Sequence, residues 1–334
     1  MRYVIIGAGA IGGVLGVRLA QHGSPHEPLL IARGEHGALI AADGLRIRSP
    51  ESDVVVRVPV AASPGEVRLE ADDVLVVATK TQSLDEALRD WVDRPVYSGD
   101  AVAGTAGSTL PVLVALNGLE GERIASRYFD RVFGVCVWLP GVHLVPGEVL
   151  VRIAPSSGTF IIGRFGAVAS NADLDLLATL EADWEAASFR VFIDDDVMRW
   201  KHRKLLSNLG NAVQAILGPS DPSAGAIHGA LEAEAVELYH SLGISWPSDA
   251  AEAERRGNAF DIRPVPGAPD ELGGSSWQSV QRGGSIETDY LNGEIALLAR
   301  LHGRTAPLNA EVQRLARVGP EASGELRRLF AEVG

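Results

Sequence analysis

At 334 residues with 46% hydrophobic side chains, the chain is long for one core, and two globular domains are expected. Its net charge of −13 argues against nucleic acid or an anionic membrane surface as a partner, since both need clustered Lys and Arg, but allows anionic small ligands held by local charges. The single cysteine, Cys136, excludes an internal disulfide and a cysteine metal cluster, and no apolar run approaches the roughly 20 residues of a membrane span, so a soluble cytoplasmic protein is expected.

The first element, Arg2–Ile6, is a short apolar strand. It runs into Gly7-Ala8-Gly9-Ala10-Ile11-Gly12-Gly13 and then into the helical pattern Val14, Leu15, Val17, Leu19, Ala20. A strand, a Gly-x-Gly-x-x-Gly turn and a helix in that order mark a dinucleotide site. Gly7 permits the tight turn, Gly9 lets the backbone approach a pyrophosphate, and Gly12 lets helix and strand pack closely. The pyrophosphate sits on the helix N-terminus, so Gly7, Gly9, Ala10, Ile11 and Gly12 are the first cofactor-binding candidates. The second strand, Leu29–Ala32, ends in Arg33, where an NAD site would carry Asp or Glu. A guanidinium there pairs with a ribose 2′-phosphate, which favours NADP(H) over NAD(H). Arg46 and Arg48 stand downstream as further candidates for the same phosphate.

Alternation of short apolar strands with helical segments continues through the first half, as a doubly wound parallel sheet requires. Val74–Ala78 is a strand ending in Thr79-Lys80, and Val112–Ala115 ends in Leu116-Asn117-Gly118. Ligands of such sheets bind beyond the carboxyl ends of the strands, so Lys80 and Asn117 become site candidates beside the cofactor, although Asn117-Gly118 also suits a plain turn. Helices are expected over Leu84–Trp91 and Gly121–Tyr128. Val132–Trp138 is a strand in which Cys136 reads as buried packing. Val149–Ile153 and Thr159–Ile162 suggest an antiparallel extension, Asp173–Ala187 an amphipathic helix, and Arg190–Ile193 a closing strand. Asp194-Asp195-Asp196 reads as a solvated turn and helix cap rather than a metal site, and neither His143 nor His202 has a second ligand at metal spacing. From there the pattern is helical, with a Pro- and Gly-rich loop over Arg263–Gly274. Residues 1–193 are therefore expected to form the α/β cofactor domain and residues 194–334 an all-helical substrate domain, whose apolar helices would serve either a dimer or a core.

In the second domain, Trp200 to Asn211 reads as one helix on which Lys204, Asn208 and Asn211 share a face at i, i+4 and i+7, with Lys201 nearby. Two amides and an ammonium on one face suit a small polar ligand. Farther on, Ser275-Ser276-Trp277-Gln278 precedes Glu287-Thr288-Asp289-Tyr290-Leu291-Asn292-Gly293, and Glu287 is expected in the first turn of an amphipathic helix.

These segments, in this order, resemble the ketopantoate reductase family, the 2-dehydropantoate 2-reductases. The resemblance covers Gly7–Gly13, Arg33, Lys80, Asn117-Gly118, Lys204-Leu205-Leu206-x-Asn208 and Ser275 to Gly293. It implies an N-terminal Rossmann-type domain, a helical C-terminal domain, and NADPH-dependent reduction of ketopantoate to pantoate in pantothenate biosynthesis. By the same resemblance Lys204 is the catalytic lysine, with Lys201 the competing choice. Glu287 is the family glutamate, with both catalytic and cofactor contacts, and Ser275 or Ser276 binds substrate. Asn117 and Asn208 match the family's polar ligands, with Asn117 also near the cofactor, and Asn211 is the substrate-binding candidate nearest the family's second helix asparagine. Three departures are visible: the second helix asparagine usually stands four beyond the first, yet position 212 is Ala; Leu116 stands where Gln is common; and Cys136–Gly147 follows a divergent pattern. Reduction of another 2-oxo or β-oxo acid, and a non-catalytic NADP(H) sensor, are the alternative readings.

Overall fold

The computed structural model describes residues 1–257, 261–269 and 271–331. They fold as two compact units. Met1–Leu116, Glu120–Met198 and Ser248–Ala268 form the first, while Asn117–Leu119, Arg199–Pro247 and the chain from Pro269 onward form the second.

In the first unit, apolar runs build an eight-stranded sheet. Its strands are β1 (Arg2–Ile6), β2 (Pro28–Ile31), β3 (Val60–Ala61), β4 (Asp73–Val77), β5 (Pro111–Val114), β6 (Arg131–Trp138), β7 (Thr159–Arg164) and β8 (Arg190–Ile193). The order across the sheet is β8-β7-β6-β5-β4-β1-β2-β3, and every neighbour pair is parallel except β6 and β7. Each residue of β4 and β5 is buried, as a sheet with both faces covered requires. Helices α1 (Ala10–Gln21), α2 (Gly34–Asp43), α3 (Leu84–Val92) and α4 (Asn171–Ala186) accompany it. Cys136 of β6 is buried and unbridged. The α/β reading of the sequence is thereby borne out.

Two parts of this unit differ from the sequence expectation. Thr159–Arg164 does pair antiparallel with β6, but Glu148–Val151 joins a separate four-stranded sheet with Leu45–Arg48, Asp53–Val56 and Gly141–Val142. Alternation explains it: Leu45 and Ile47 are buried, while Arg46 and Arg48 reach the carboxylates of the adjoining strands. Asp194, read as solvated, is buried, accepts from the backbone N–H of Asp196 and pairs with Arg255 at 3.1 Å. Arg255 belongs to the helix Asp249–Arg256, which counts with the first unit although in sequence it falls between segments of the second. The stretch beyond it is tied down as well, by Arg263 N–H to the Arg152 carbonyl and by Arg263 Nη2 to Glu51, each at 2.8 Å. Within the loop Arg263–Gly274, residue 270 lies outside the described residues.

The second unit is helical: α5 (Val197–Asn208), α6 (Gly210–Leu217), α7 (Ala224–Leu242), α8 (Ser275–Gln281), α9 (Asn292–Leu301), α10 (Pro307–Val318) and α11 (Ser323–Ala331). The single helix expected through Asn211 is broken at Leu209, whose N–H bonds back to Leu206 at 3.3 Å instead of to residue 205. The Leu209 carbonyl accepts the side-chain amide of buried Asn292 at 3.2 Å, and the same amide donates to Asn309 Oδ1 at 3.1 Å. Glu234 then accepts from the N–H groups of Leu308 and Asn309 and so caps the start of α10.

Candidate functional site

The first unit gathers its candidates at one edge of the sheet. Ile6 of β1 is paired with Ile31 of β2 on one side and Val77 of β4 on the other, so the three chains leave the sheet side by side. The chain order reverses here, since β1 is followed by β2 on one flank and later by β4 on the other. Such a reversal is where open α/β sheets take their ligands. Gly7 has φ +101°, and a Cβ on it would stand 2.9 Å from the Ala78 carbonyl oxygen. A Cβ on Gly12 would lie 2.0 Å from the Gly7 carbonyl oxygen, so both positions exclude any side chain. Gly9 caps α1 with no side-chain bond, and the first turn, opened by Ala10 and Ile11, holds no acidic residue. The N–H groups of the α1 start therefore suit an anionic dinucleotide.

Arg33 is the N-cap residue of α2, exposed, and pairs with no carboxylate among the described residues. Arg46 and Arg48 are engaged elsewhere. Arg46 makes a two-pronged pair with Asp53 at 2.6 and 2.8 Å and reaches Glu148 at 3.1 Å, while Arg48 meets Glu148 at 3.3 Å and the Pro266 carbonyl. These pairings occupy the guanidinium groups that the sequence offered as help with a phosphate. Lys80, half-buried, follows β4 at the same sheet edge as Gly7.

The second unit gathers a different set. Lys204 Nζ donates to Asn117 Oδ1 at 2.7 Å, so Asn117 meets the lysine across 87 residues of sequence. Gly118 beside it has φ +79°, and a Cβ there would stand 2.6 Å from the Tyr290 carbonyl oxygen. This close approach seats the Asn117-Gly118 turn on the segment that follows Glu287. Glu287 is buried and precedes the 3-10 turn Thr288–Tyr290; Leu291, at φ −118° and ψ −89°, separates that turn from α9. It is thus not in the first turn of a helix, as the sequence suggested. Asn208 ends α5, and its Nδ2 is buried with no hydrogen-bond partner among the described residues. The hydroxyls of Ser275 and Ser276 at the start of α8 share that condition. Asn211 has moved onto α6, where its Oδ1 would lie 2.8 Å from a Cβ on Gly274. Gln214, which sequence reasoning missed, accepts the Gly274 N–H at 2.9 Å and so fixes the residue before Ser275. Lys201 is buried, while Lys204 is half-buried and carries the bond to Asn117. Asn117 and Glu287, expected near the cofactor too, both count with the second unit or its described segments.

A glycine turn at the reversal point of a doubly wound sheet marks the dinucleotide-fold class. Within that class, residues 3–166 match the family described as ketopantoate reductase PanE/ApbA, and residues 196–319 match its C-terminal part. The chain belongs to the ketopantoate reductase family. A relative from Mesorhizobium japonicum named 2-dehydropantoate 2-reductase is 29% identical over 345 residues, spanning 95% of this chain and 97% of its own. The crystal structure of a PanE/ApbA family ketopantoate reductase from Ralstonia eutropha JMP134 is similar with a TM-score of 0.74 at 25% identity, over 95% of this chain and 98% of that one. D-mandelate dehydrogenase, solved with NADH and anilino(oxo)acetate, shares the fold at a TM-score of 0.76 and 20% identity, over 97% of this chain and 100% of that one. No described helix is long and apolar enough to cross a membrane.

Proposed function

We propose that the chain is an NADPH-dependent 2-oxo acid reductase whose substrate is 2-dehydropantoate. The observation that carries this reading is the 2.7 Å bond from Lys204 Nζ to Asn117 Oδ1. It gives a defined ammonium in a unit that also holds buried, unpartnered donors on Asn208 and on Ser275 and Ser276. Buried donors of this kind are normally satisfied, so they point to a ligand with oxygen acceptors, such as a carboxylate.

A bound nicotinamide cofactor supplies the hydride for the carbonyl carbon. The chain's own residues handle the oxygen and the proton. Lys204 carries three N–H donors, one of which goes to Asn117. As negative charge grows on the substrate carbonyl oxygen, Lys204 stabilises it and gives up a proton, leaving an alcohol. Asn208 Nδ2 and the serine hydroxyls donate to the carboxylate oxygens and fix the face presented. Glu287 accepts from a substrate hydroxyl. On the cofactor side, the Gly7–Gly12 turn takes the pyrophosphate, Arg33 the 2′-phosphate, and Lys80 lies close to one or the other.

A second reading, a different 2-oxo acid, is favoured by one observation. The amide that relatives carry one position later is Asn211, and its oxygen faces Gly274. Steady-state rates with 2-dehydropantoate and a panel of 2-oxo acids of other sizes, each with NADPH and NADH, separate the two. The expected outcome is the highest kcat/KM for 2-dehydropantoate with NADPH. Arg33→Gln should raise the Kd of NADPH about tenfold, or ~1.4 kcal/mol, and leave that of NADH unchanged. A preference for NADH would overturn the Arg33 assignment, and a faster panel member would establish the second reading.

A further inference from the structure

His143 lies against the glycine turn, in a place that residue spacing did not reveal. Its Nδ1 would be 3.8 Å from a Cβ on Gly9, the nearest atom that such a Cβ would meet. Gly9 is the position at which the backbone leaves room for a pyrophosphate. The His143 ring packs on that of His36, with centroids 4.3 Å apart and planes inclined by 41°.

His36 is held from both sides. Its Nε2 is 2.8 Å from the Ala8 carbonyl oxygen, and the Gly147 N–H is 2.8 Å from its Nδ1. A carbonyl only accepts and an amide N–H only donates, so the two bonds define a neutral ring with its proton on Nε2. Ala8 lies within the glycine turn itself, and Gly147 ends the segment that carries His143. One imidazole therefore ties the turn to that segment, and the other packs against it at a tilt, with a nitrogen toward Gly9. Gly9, His36, His143 and Gly147 all belong to the first unit.

Resting on the dinucleotide reading of that unit, we propose that His143 is a ligand of the cofactor's pyrophosphate, donating Nδ1–H to a phosphate oxygen. The glycine turn offers backbone N–H groups and a helix dipole, and its capping residue has no side chain to add. His143 supplies the side-chain donor at that place. The 2′-phosphate is the less suitable target, because the atom His143 approaches is Gly9 and not the β2 end that carries Arg33.

Dissociation constants for NADPH and NADH, measured from cofactor fluorescence, test this on wild type, His143→Ala and His143→Phe. The phenylalanine keeps a flat ring on His36 and removes both nitrogens, so it guards against a merely structural loss. Both variants should bind both dinucleotides about tenfold more weakly, while the melting temperature of the ligand-free Phe variant stays as in wild type. Wild-type affinity in the Phe variant overturns the inference alone. A loss confined to NADPH moves the imidazole to the 2′-phosphate and overturns the pyrophosphate assignment. If wild type binds neither dinucleotide, the cofactor reading falls and the inference with it.

Discussion

The two units build their candidate sites from opposite materials. In the first, the glycine turn works through backbone atoms within one short stretch, and what matters there is the absence of side chains: a Cβ at Gly7 or Gly12 would strike a carbonyl oxygen. In the second, the decisive groups are side-chain atoms drawn from residues 117, 204, 208 and 275–287, and what matters is which polar group each position carries. A backbone site is damaged by adding atoms, and a side-chain site by removing them. The kind of substitution that harms the glycine turn should therefore differ from the kind that harms the second unit's cluster, and so should the quantity it harms.

The sharpest separation comes from Lys204→Ala, which should lower kcat on the order of 10³-fold while the Kd of NADPH stays as in wild type. Comparable losses in both would erase the distinction between the units. Gly12→Ala adds one methyl group where a Cβ meets the Gly7 carbonyl oxygen at 2.0 Å. It should cost about 3 kcal/mol of unfolding free energy in a urea titration and weaken dinucleotide binding strongly. An alanine protein of unchanged stability and affinity would show that the turn relaxes and that the backbone argument is wrong.

The smallest effect concerns stability of the first unit alone. Asp173 opens α4 in a capping box with Ser170 and is bridged by Arg131 at 2.8 Å and Arg164 at 3.6 Å. Burial raises its pKa, but the hydrogen bonds from Ser170 and Arg131 and the charge of Arg131 outweigh it, so the carboxyl sits below its ordinary value of 3.8. A depressed carboxyl stabilises the fold above its unfolded pKa and loses that contribution as pH falls through the folded value. Asp173→Asn should thus cost about 1–2 kcal/mol near neutral pH and nearly nothing at the acid end. Melting curves between those limits check it, and a penalty that does not shrink with acid would refute the charge argument.

Legibility followed the same division. The β1 strand, the glycine turn and Arg33 lie within 32 residues, and local spacing was enough to read them. The strand Leu45–Arg48 escaped notice because four residues alternating Leu, Arg, Ile, Arg show too little of a period, and its partner Glu148–Val151 is far along the chain. The break at Leu209 was hidden because the amide that bonds its carbonyl, that of Asn292, lies 83 residues away. Lys204, Asn208 and Asn117 were found as individual polar residues in suitable places. The bond between Lys204 and Asn117 depends on tertiary structure, as does the contact of the His36 and His143 rings, and no periodicity carries that information.

The chain's repeated passage from one unit to the other has a consequence for how the protein is made. Asn117–Leu119 leaves the first unit's sequence long before Lys204 is synthesised, and the first unit receives its last segment only at Ala268. During translation, neither unit can reach its final composition as an uninterrupted N-terminal piece. A nascent chain arrested after Met198 would carry the whole eight-stranded sheet yet lack the Arg255 partner of Asp194 and the Arg263 that bonds to Arg152 and Glu51. Maturation is therefore a late event in biosynthesis, and the ammonium that meets Asn117 arrives in a chain whose glycine turn has long since emerged.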